Sequence, residues 1–313
     1  MGISKENGKV YRELVYKYDP EYLKFLVKQF AIDTKYFPLA SRKTHHADTV
    51  VDVRGVRFGG GGHFATIAGP CGLENRHDTL ETAKALEKLG ADVFRGFIWK
   101  GRTCPTKFQG VGARGIAWLK DVKEQTGLRV NTEIISIEHF ELVKRTSDMV
   151  QIGARSMQNY ELLKAVGRSR IPVLLKNSPG SGLDELLCAA EYILRGGNRN
   201  VILCLRGTKP LTGSGSRFTL DMCAFSILKH LTHLPVIGDP SHPADHSAIV
   251  PSVAMGIAAC GADGLLIEVH GNPKHALTDR KQLLDYTQFA QTMEFIRGIL
   301  RVTGRSADLY GTQ

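Results

Sequence analysis

No uncharged apolar run of about 18 residues occurs in the chain, and Met1 to Lys9 lacks an apolar block. Neither a membrane span nor an export signal is expected, and the protein is read as cytoplasmic. Paired cysteine spacing is missing as well. The six cysteines, at 71, 104, 188, 204, 223 and 260, are scattered, which excludes a disulfide framework and a Cys-x-x-Cys metal knuckle. The formal net charge of +10 raises nucleic acid as a partner. Yet no five like charges run together, no zinc-finger, RRM or helix-turn-helix signature occurs, and aromatics rarely alternate with Lys or Arg. The excess of cations is therefore read as serving small anionic substrates, with no nucleic acid and no membrane as partner.

What is present is apolar material for a large core: 313 residues, 42% of them hydrophobic. From residue 64 onward, short runs rich in Val, Ile and Leu alternate with amphipathic stretches of helical period, the pattern of repeated βα units. The runs are Phe64 to Ala68, Val93 to Ile98, Val130 to Ile134, Met149 to Gly153, Pro172 to Leu175, Val201 to Leu205, Pro235 to Ile237 and Gly264 to Val269. Candidate helices between them include Asp78 to Leu89, capped by Asp78 or Thr79, and Asp184 to Arg195, with acids in its first turn. Eight such strands predict an α/β protein, a (β/α)8 barrel over residues 64–313. Residues 1–63 do not follow the repeat and are read as an N-terminal extension on the barrel. Within it Tyr11 to Asp33 predicts one or two amphipathic helices, and Thr49 to Phe58 predicts a hairpin around Arg54-Gly55 that closes the barrel's bottom.

In such a barrel the chemistry sits on the loops that follow the strands. In order, the strands run into Cys71, Lys100 with Arg102, Glu133, Arg155, Lys176, Arg206, His242 and Glu268. Each alone is more often a solvated, paired or capping residue. Five basic residues converging on one mouth repel unless an anion or a metal complex sits among them. Arginine suits bidentate recognition of carboxylate and phosphate. Cys71, His242, Glu268 and Asp279 make a mixed sulfur, nitrogen and oxygen set, which fits a divalent transition metal better than magnesium.

Ala68-Gly-Pro-Cys71, Lys100-Gly-Arg-Thr103 with Phe108-Gln-Gly110, Gln151-Ile-Gly-Ala-Arg155-Ser-Met-Gln-Asn159, Asp239-Pro-Ser-His242 and Ile267-Glu-Val-His270 together resemble the 3-deoxy-D-arabino-heptulosonate 7-phosphate (DAHP) synthase family, in its type I beta form. The resemblance runs from about Leu39 to Gln282 in order and spacing. It implies a transferase of the shikimate pathway, joining phosphoenolpyruvate to erythrose 4-phosphate, and a homo-oligomer, dimer or tetramer. Carried over residue by residue, it implies that Arg95, Lys100, Ala154, Arg155, Lys176 and Arg206 grip phosphoenolpyruvate. Lys100, Arg102 and Thr103 meet the aldehyde and its phosphate. Cys71, His242, Glu268 and Asp279 hold a divalent ion such as Mn, Co, Fe or Zn, which makes His242 catalytic through the metal. Lys100 protonates the new alkoxide, and Glu133 orients the attacking water.

The chain departs from the family at Lys100-Gly101-Arg102-Thr103-Cys104-Pro105, where the family usually has Lys-Pro-Arg-Thr-Ser-Pro, and Trp99 stands where it usually has Phe. The related octulosonate 8-phosphate synthases carry Lys-Ala-Asn-Arg here, and the single residue between Lys100 and Arg102 favours the four-carbon aldehyde. The rival readings are a paralogue that uses a different aldehyde and a catalytically silent metabolite-binding barrel. Residues 1–38 match no regulatory domain of the family, so weak or absent inhibition by aromatic amino acids is expected. The segment from Gly207 to Arg217 is read as a mobile lid.

Overall fold

The computed structural model describes residues 9–11, 13–14, 19–29, 32–210 and 217–307. Arg54 and Gly55 take φ of 49° and 97°, the left-handed pair that a two-residue hairpin turn requires. They fold β1 (Val50–Val53) back on β2 (Val56–Gly59), as the alternating sequence predicts. Val51, Val53, Val56 and Phe58 form one buried face, and they cluster with Ala65, Val93 and Met149 at strand beginnings and with Leu174, Ile202 and Leu266 from the barrel interior. The hairpin thus plugs the end of the barrel at which the strands start.

Strands β3 (His63–Gly69), β4 (Val93–Arg95), β5 (Arg129–Ile134), β6 (Met149–Ile152), β7 (Val173–Lys176), β8 (Val201–Leu205), β9 (Val236–Gly238) and β10 (Gly264–Glu268) pair in chain order, each parallel to the next. Closure is direct: β10 pairs with β3, from Gly264 opposite Ala65 to Glu268 opposite Gly69. A short β11 (Ser306–Ala307) adds beside His63 and Phe64. β6 to β10 are buried at every position, which explains their continuous apolar runs in place of an alternating pattern.

The helices are α1 (Pro20–Gln29) in the extension, then α2 (Arg76–Lys88), α3 (Gly115–Gln125), α4 (Ile137–Val143), α5 (Tyr160–Gly167), α6 (Leu183–Arg195), α7 (Cys223–Leu231), α8 (Ser241–Ala244), α9 (Val250–Ala259) and α10 (Tyr286–Val302). Three buried aspartates staple the strand beginnings together. Asp92 accepts from Thr66 N at 2.7 Å, Asp148 from Val130 N at 2.9 Å and Asp263 from Val236 N at 2.7 Å. Each stands one residue before a strand and accepts from a backbone N–H of the preceding strand. No helix among the described residues is long and apolar enough to cross a membrane.

Some expectations need correction. The cap of α2 is Asn75, whose side chain accepts from Asp78 N at 2.8 Å, so Asp78 and Thr79 lie within the helix. β4 stops at Arg95 rather than Ile98, because Phe97 O takes Leu73 N and Ile98 O takes Gly112 N, drawing the chain off the sheet into its loops. Lys176 belongs to β7 itself. Of the expected lid, 211–216 lie outside the described residues, and its two ends are bridged by Thr208 and Thr219. Of the stretch Tyr11 to Asp33, α1 is one helix, and the described residues Tyr11, Glu13 and Leu14 are helical as well.

Because Phe58 is wholly buried in the plug, Phe58→Ala is expected to destabilise the fold by about 3–5 kcal/mol. Denaturant unfolding checks this, and a loss below about 1 kcal/mol would contradict the plug.

Candidate active site

At the other end of the barrel the strand ends and their loops converge. Cys71, 2% exposed, follows β3. Arg95 ends β4, and the loop beyond it is tied by Lys100 N to Gln109 O and Gly112 N to Ile98 O, both at 2.8 Å. Those ties turn the Lys100 side chain inward, 2.8 Å from Cys71 Sγ and 5.3 Å above the Phe97 ring. Glu133 comes from β5, while Gly153 and the short helical turn Ala154–Ser156 follow β6 and present Arg155. Lys176 reaches from β7 to Asp239 at 2.5 Å, and Arg206 after β8 is held through its backbone N by Asn177 Oδ1 at 2.7 Å. Asp239 also accepts from His242 N, 3.1 Å, and meets His242 Nδ1 at 2.6 Å, which fixes the ring and leaves Nε2 toward Glu268 at 4.0 Å.

The result is a cavity of about 440 Å³. Cys71, Arg95, Lys100, Arg102, Thr103, Glu133, Ala154, Arg155, Lys176, Arg206, His242 and Asp279 all line it. Glu268 is the one expected site residue outside the lining: it is wholly buried beneath, 3.2 Å from Arg95 Nη2. Lining residues not expected from the sequence are Phe97, Lys107, Gln151, Gly153, Pro179, Arg217 and Phe218. Phe218 carries the Arg206 guanidinium 3.7 Å above its ring. A basic and aromatic pair directly after the glycine-serine stretch was the available signal. Asp239 and Gln282, which donates to Glu268 Oε2 at 2.6 Å, were missed as supports because neither reaches the cavity.

The electrostatics divide the site in two. On the cationic side, Arg95 is fully buried and its three guanidinium nitrogens make no hydrogen bond among the described residues; the same holds for Nε and Nη1 of Arg206. Buried donors are normally satisfied, so these await an acceptor of negative charge. Burial pushes the Arg206 pKa down against the pull of Asp239, and Arg217 and Arg155 push it further. Burial also works against charge on Lys100, but Cys71, Glu133, Glu268 and Asp279 outweigh it and raise its pKa, so the ammonium is retained.

On the other side, Cys71 Sγ and carboxylate oxygens of Glu268 and Asp279 all lie within 4.8 Å of one another. Burial drives the Cys71 thiol well up, with Glu268 adding to it, so its thiolate needs a cation stronger than Lys100. Glu268 Oε1 has no hydrogen-bond partner, and Asp279 holds its place through a left-handed φ of 53°. Against burial, His242 and Lys176 keep Asp239 well below the usual carboxylate range, and burial lowers His242, favouring the neutral imidazole that ligates metals. The donors fit a divalent transition ion, with Cys71, Glu268 and Asp279 as the compact trio and His242 beside Glu268.

A (β/α)8 barrel whose mouth joins a candidate metal-donor trio to buried arginines has the makings of a site for a divalent ion and an anionic ligand. The model of the DAHP synthetase I family matches residues 39–300. Phospho-2-dehydro-3-deoxyheptonate aldolase of Thermotoga maritima is 38% identical over 270 residues, 86% of this chain and 79% of that protein. A 2-dehydro-3-deoxyphosphooctonate aldolase of Desulfatibacillum aliphaticivorans is 30% identical, over 78% of this chain and 92% of its own. The crystal structure of the Thermotoga DAHP synthase superposes with a TM-score of 0.83 at 37% identity, covering 86% of this chain and 78% of that one. Its truncated form gives 0.81 at 36% identity, over 87% of this chain and all of the other. The chain belongs to the DAHP synthetase I family, and it is an enzyme of that family.

Asp239 aims both Lys176 and His242, so Asp239→Ala is expected to weaken transition-metal affinity about 10–100-fold without unfolding the barrel. Metal titration by calorimetry measures it. Unchanged affinity would remove Asp239 from the support of the site.

Proposed function

We propose that the protein condenses phosphoenolpyruvate with erythrose 4-phosphate and water, giving DAHP and inorganic phosphate, the entry to the shikimate pathway. The observation that carries the reading is one cavity in which Arg95, ion-paired with Glu268 alone, and Arg206, with two guanidinium nitrogens unbonded among the described residues, face a metal-donor trio, in a chain 38% identical to a DAHP synthase. Arg95, Arg155, Lys176 and Arg206, with the turn at Ala154, hold the phosphate and carboxylate of phosphoenolpyruvate. Arg102 and Thr103 take the distal phosphate of the aldehyde. Cys71, His242, Glu268 and Asp279 would hold a divalent ion, Mn, Co, Fe or Zn, which supplies Lewis-acid polarisation of a carbonyl. Lys100 gives its proton to the oxygen of the former aldehyde as C3 of phosphoenolpyruvate bonds to that carbon. Glu133 accepts a proton from the water that attacks C2, and the arginine cluster stabilises the departing phosphate. The reading places the chemistry in residues 64–313 with 1–63 as an extension, in a cytoplasmic homo-oligomer.

A second reading, a different aldehyde, is favoured by Gly101. This residue lines the cavity, its φ lies outside the left-handed region, and a Cβ there would meet nothing closer than Ile135 Cγ2 at 4.0 Å. Neither backbone nor packing demands glycine, so the missing side chain widens the aldehyde end.

Phosphoenolpyruvate consumption by metal-loaded protein, with erythrose 4-phosphate, arabinose 5-phosphate, ribose 5-phosphate and unphosphorylated aldehydes, separates the readings. Chelator-sensitive turnover with erythrose 4-phosphate is expected; turnover solely with another aldehyde supports the second reading, and none with any contradicts both. Cys71→Ala is expected to lose metal and activity together, and an active metal-free variant contradicts the ligand set. For Lys100→Ala, kcat is expected to fall by about 10²–10⁴ while phosphoenolpyruvate still binds, and unchanged kcat contradicts the proton-transfer role.

A further inference from the structure

Glu133 and Gln151 stand directly opposite each other on β5 and β6. Gln151 is 1% exposed and donates from Nε2 to Glu133 Oε2 at 2.9 Å. The other carboxylate oxygen lies against Gly153, where a Cβ would come within 2.2 Å of Glu133 Oε1. Gly153 has an ordinary φ of −66°, so it is the space, not the backbone, that requires glycine. Glu133 is thus fixed by a donor on one oxygen and by a bare backbone beside the other. A carboxylate only accepts, which makes Gln151 spend its amide N–H on Glu133 and leaves its carbonyl Oε1 buried with no hydrogen-bond partner among the described residues. Both polar side-chain atoms of Asn131, two residues before Glu133 on β5, are buried and without a hydrogen-bond partner too. Buried polar atoms in this state are ordinarily satisfied by ordered water.

We propose that Gln151 is the positioning residue of Glu133, and that with Gly153 it sets this carboxylate beside the water consumed in the reaction. The inference rests on the function proposed above. In the step concerned, the water oxygen bonds to C2 of the condensed adduct and one of its protons passes to Glu133. The C2–O bond to phosphorus's oxygen then breaks, phosphate leaves with the electron pair and takes up the remaining hydroxyl proton, and C2 becomes the ketone. Gln151 touches no reacting atom in this scheme. It acts by denying Glu133 its other rotamers.

Wild-type turnover with phosphoenolpyruvate and erythrose 4-phosphate tests the underlying reading, and its absence overturns both. With turnover in hand, Gln151→Met, which keeps the length and removes the donor, is expected to lower kcat about 30-fold with the KM for phosphoenolpyruvate within about threefold of wild type. Gly153→Ala, which crowds Glu133 from the other side, is expected to give the same split. In a Glu133→Gln background, Gln151→Met is expected to cost less than about twofold more, because the group it serves is gone. Losses that multiply in the double variant overturn the proposal. So does Gln151→Met with raised KM and unchanged kcat, which would make Gln151 a substrate contact. Unchanged kcat in Glu133→Gln overturns it as well and leaves the enzymatic reading standing. Phosphoenolpyruvate binding by calorimetry confirms that each variant is folded.

Discussion

The buried pair of Arg95 and Glu268 is the constraint on which the site depends. Both side chains are wholly inside the barrel, 3.2 Å apart, and Arg95 also lies 4.3 Å from the Phe97 ring. Taking two such charges out of water costs several kcal/mol each, and their mutual attraction repays this only in part. The fold nonetheless retains them where β4 and β10 end. Glu268 belongs at once to the metal-donor trio and to Arg95. Filling the trio with a cation draws on the same carboxylate that balances Arg95, so the demand of Arg95 for an external anion grows. A metal in the trio and an anion on Arg95 would therefore be electrostatically linked through one shared group.

Around that pair, each neighbouring charge has a support. Asp239 holds Lys176 on one side and the His242 ring on the other, Gln282 occupies one oxygen of Glu268, and Asn177 fixes the backbone beyond which Arg206 projects. These supports come from different strand ends, and barrel closure brings them into register. The hairpin makes the opposite end a buried apolar cluster, so the mouth is the end at which charge collects. Function and fold are joined here: five of the parallel strands that bury their flanks in Val, Ile and Leu, β4, β7, β8, β9 and β10, carry a charged residue at the last position or just beyond it.

Much of this was legible in the sequence because periodicity reports burial. All eight barrel strands and the hairpin about Arg54-Gly55 fall where the apolar runs and the turn pair lie. Twelve expected site residues line one cavity because strand ends in a closed barrel have only one place to meet. What the sequence hides is the partner of each group. Asn75 outcompetes Asp78 as cap through backbone geometry, and β4 yields its last three expected residues to loop hydrogen bonds made 14 residues away, Gly112 to Ile98. Asp239, Gln151 and Phe218 act through contacts across strands or loops, and although the first two stand in motifs that carry the family resemblance and the third follows the glycine-serine stretch, a linear pattern does not say which group each one touches.

A crystal structure with Mn²⁺ and phosphoenolpyruvate bound tests the central claim most directly. The account expects the ion among Cys71, Glu268 and Asp279 with His242 beside it, and the phosphate and carboxylate on the free nitrogens of Arg95 and Arg206. A metal bound elsewhere, or phosphoenolpyruvate that makes no contact with Arg95, would contradict it.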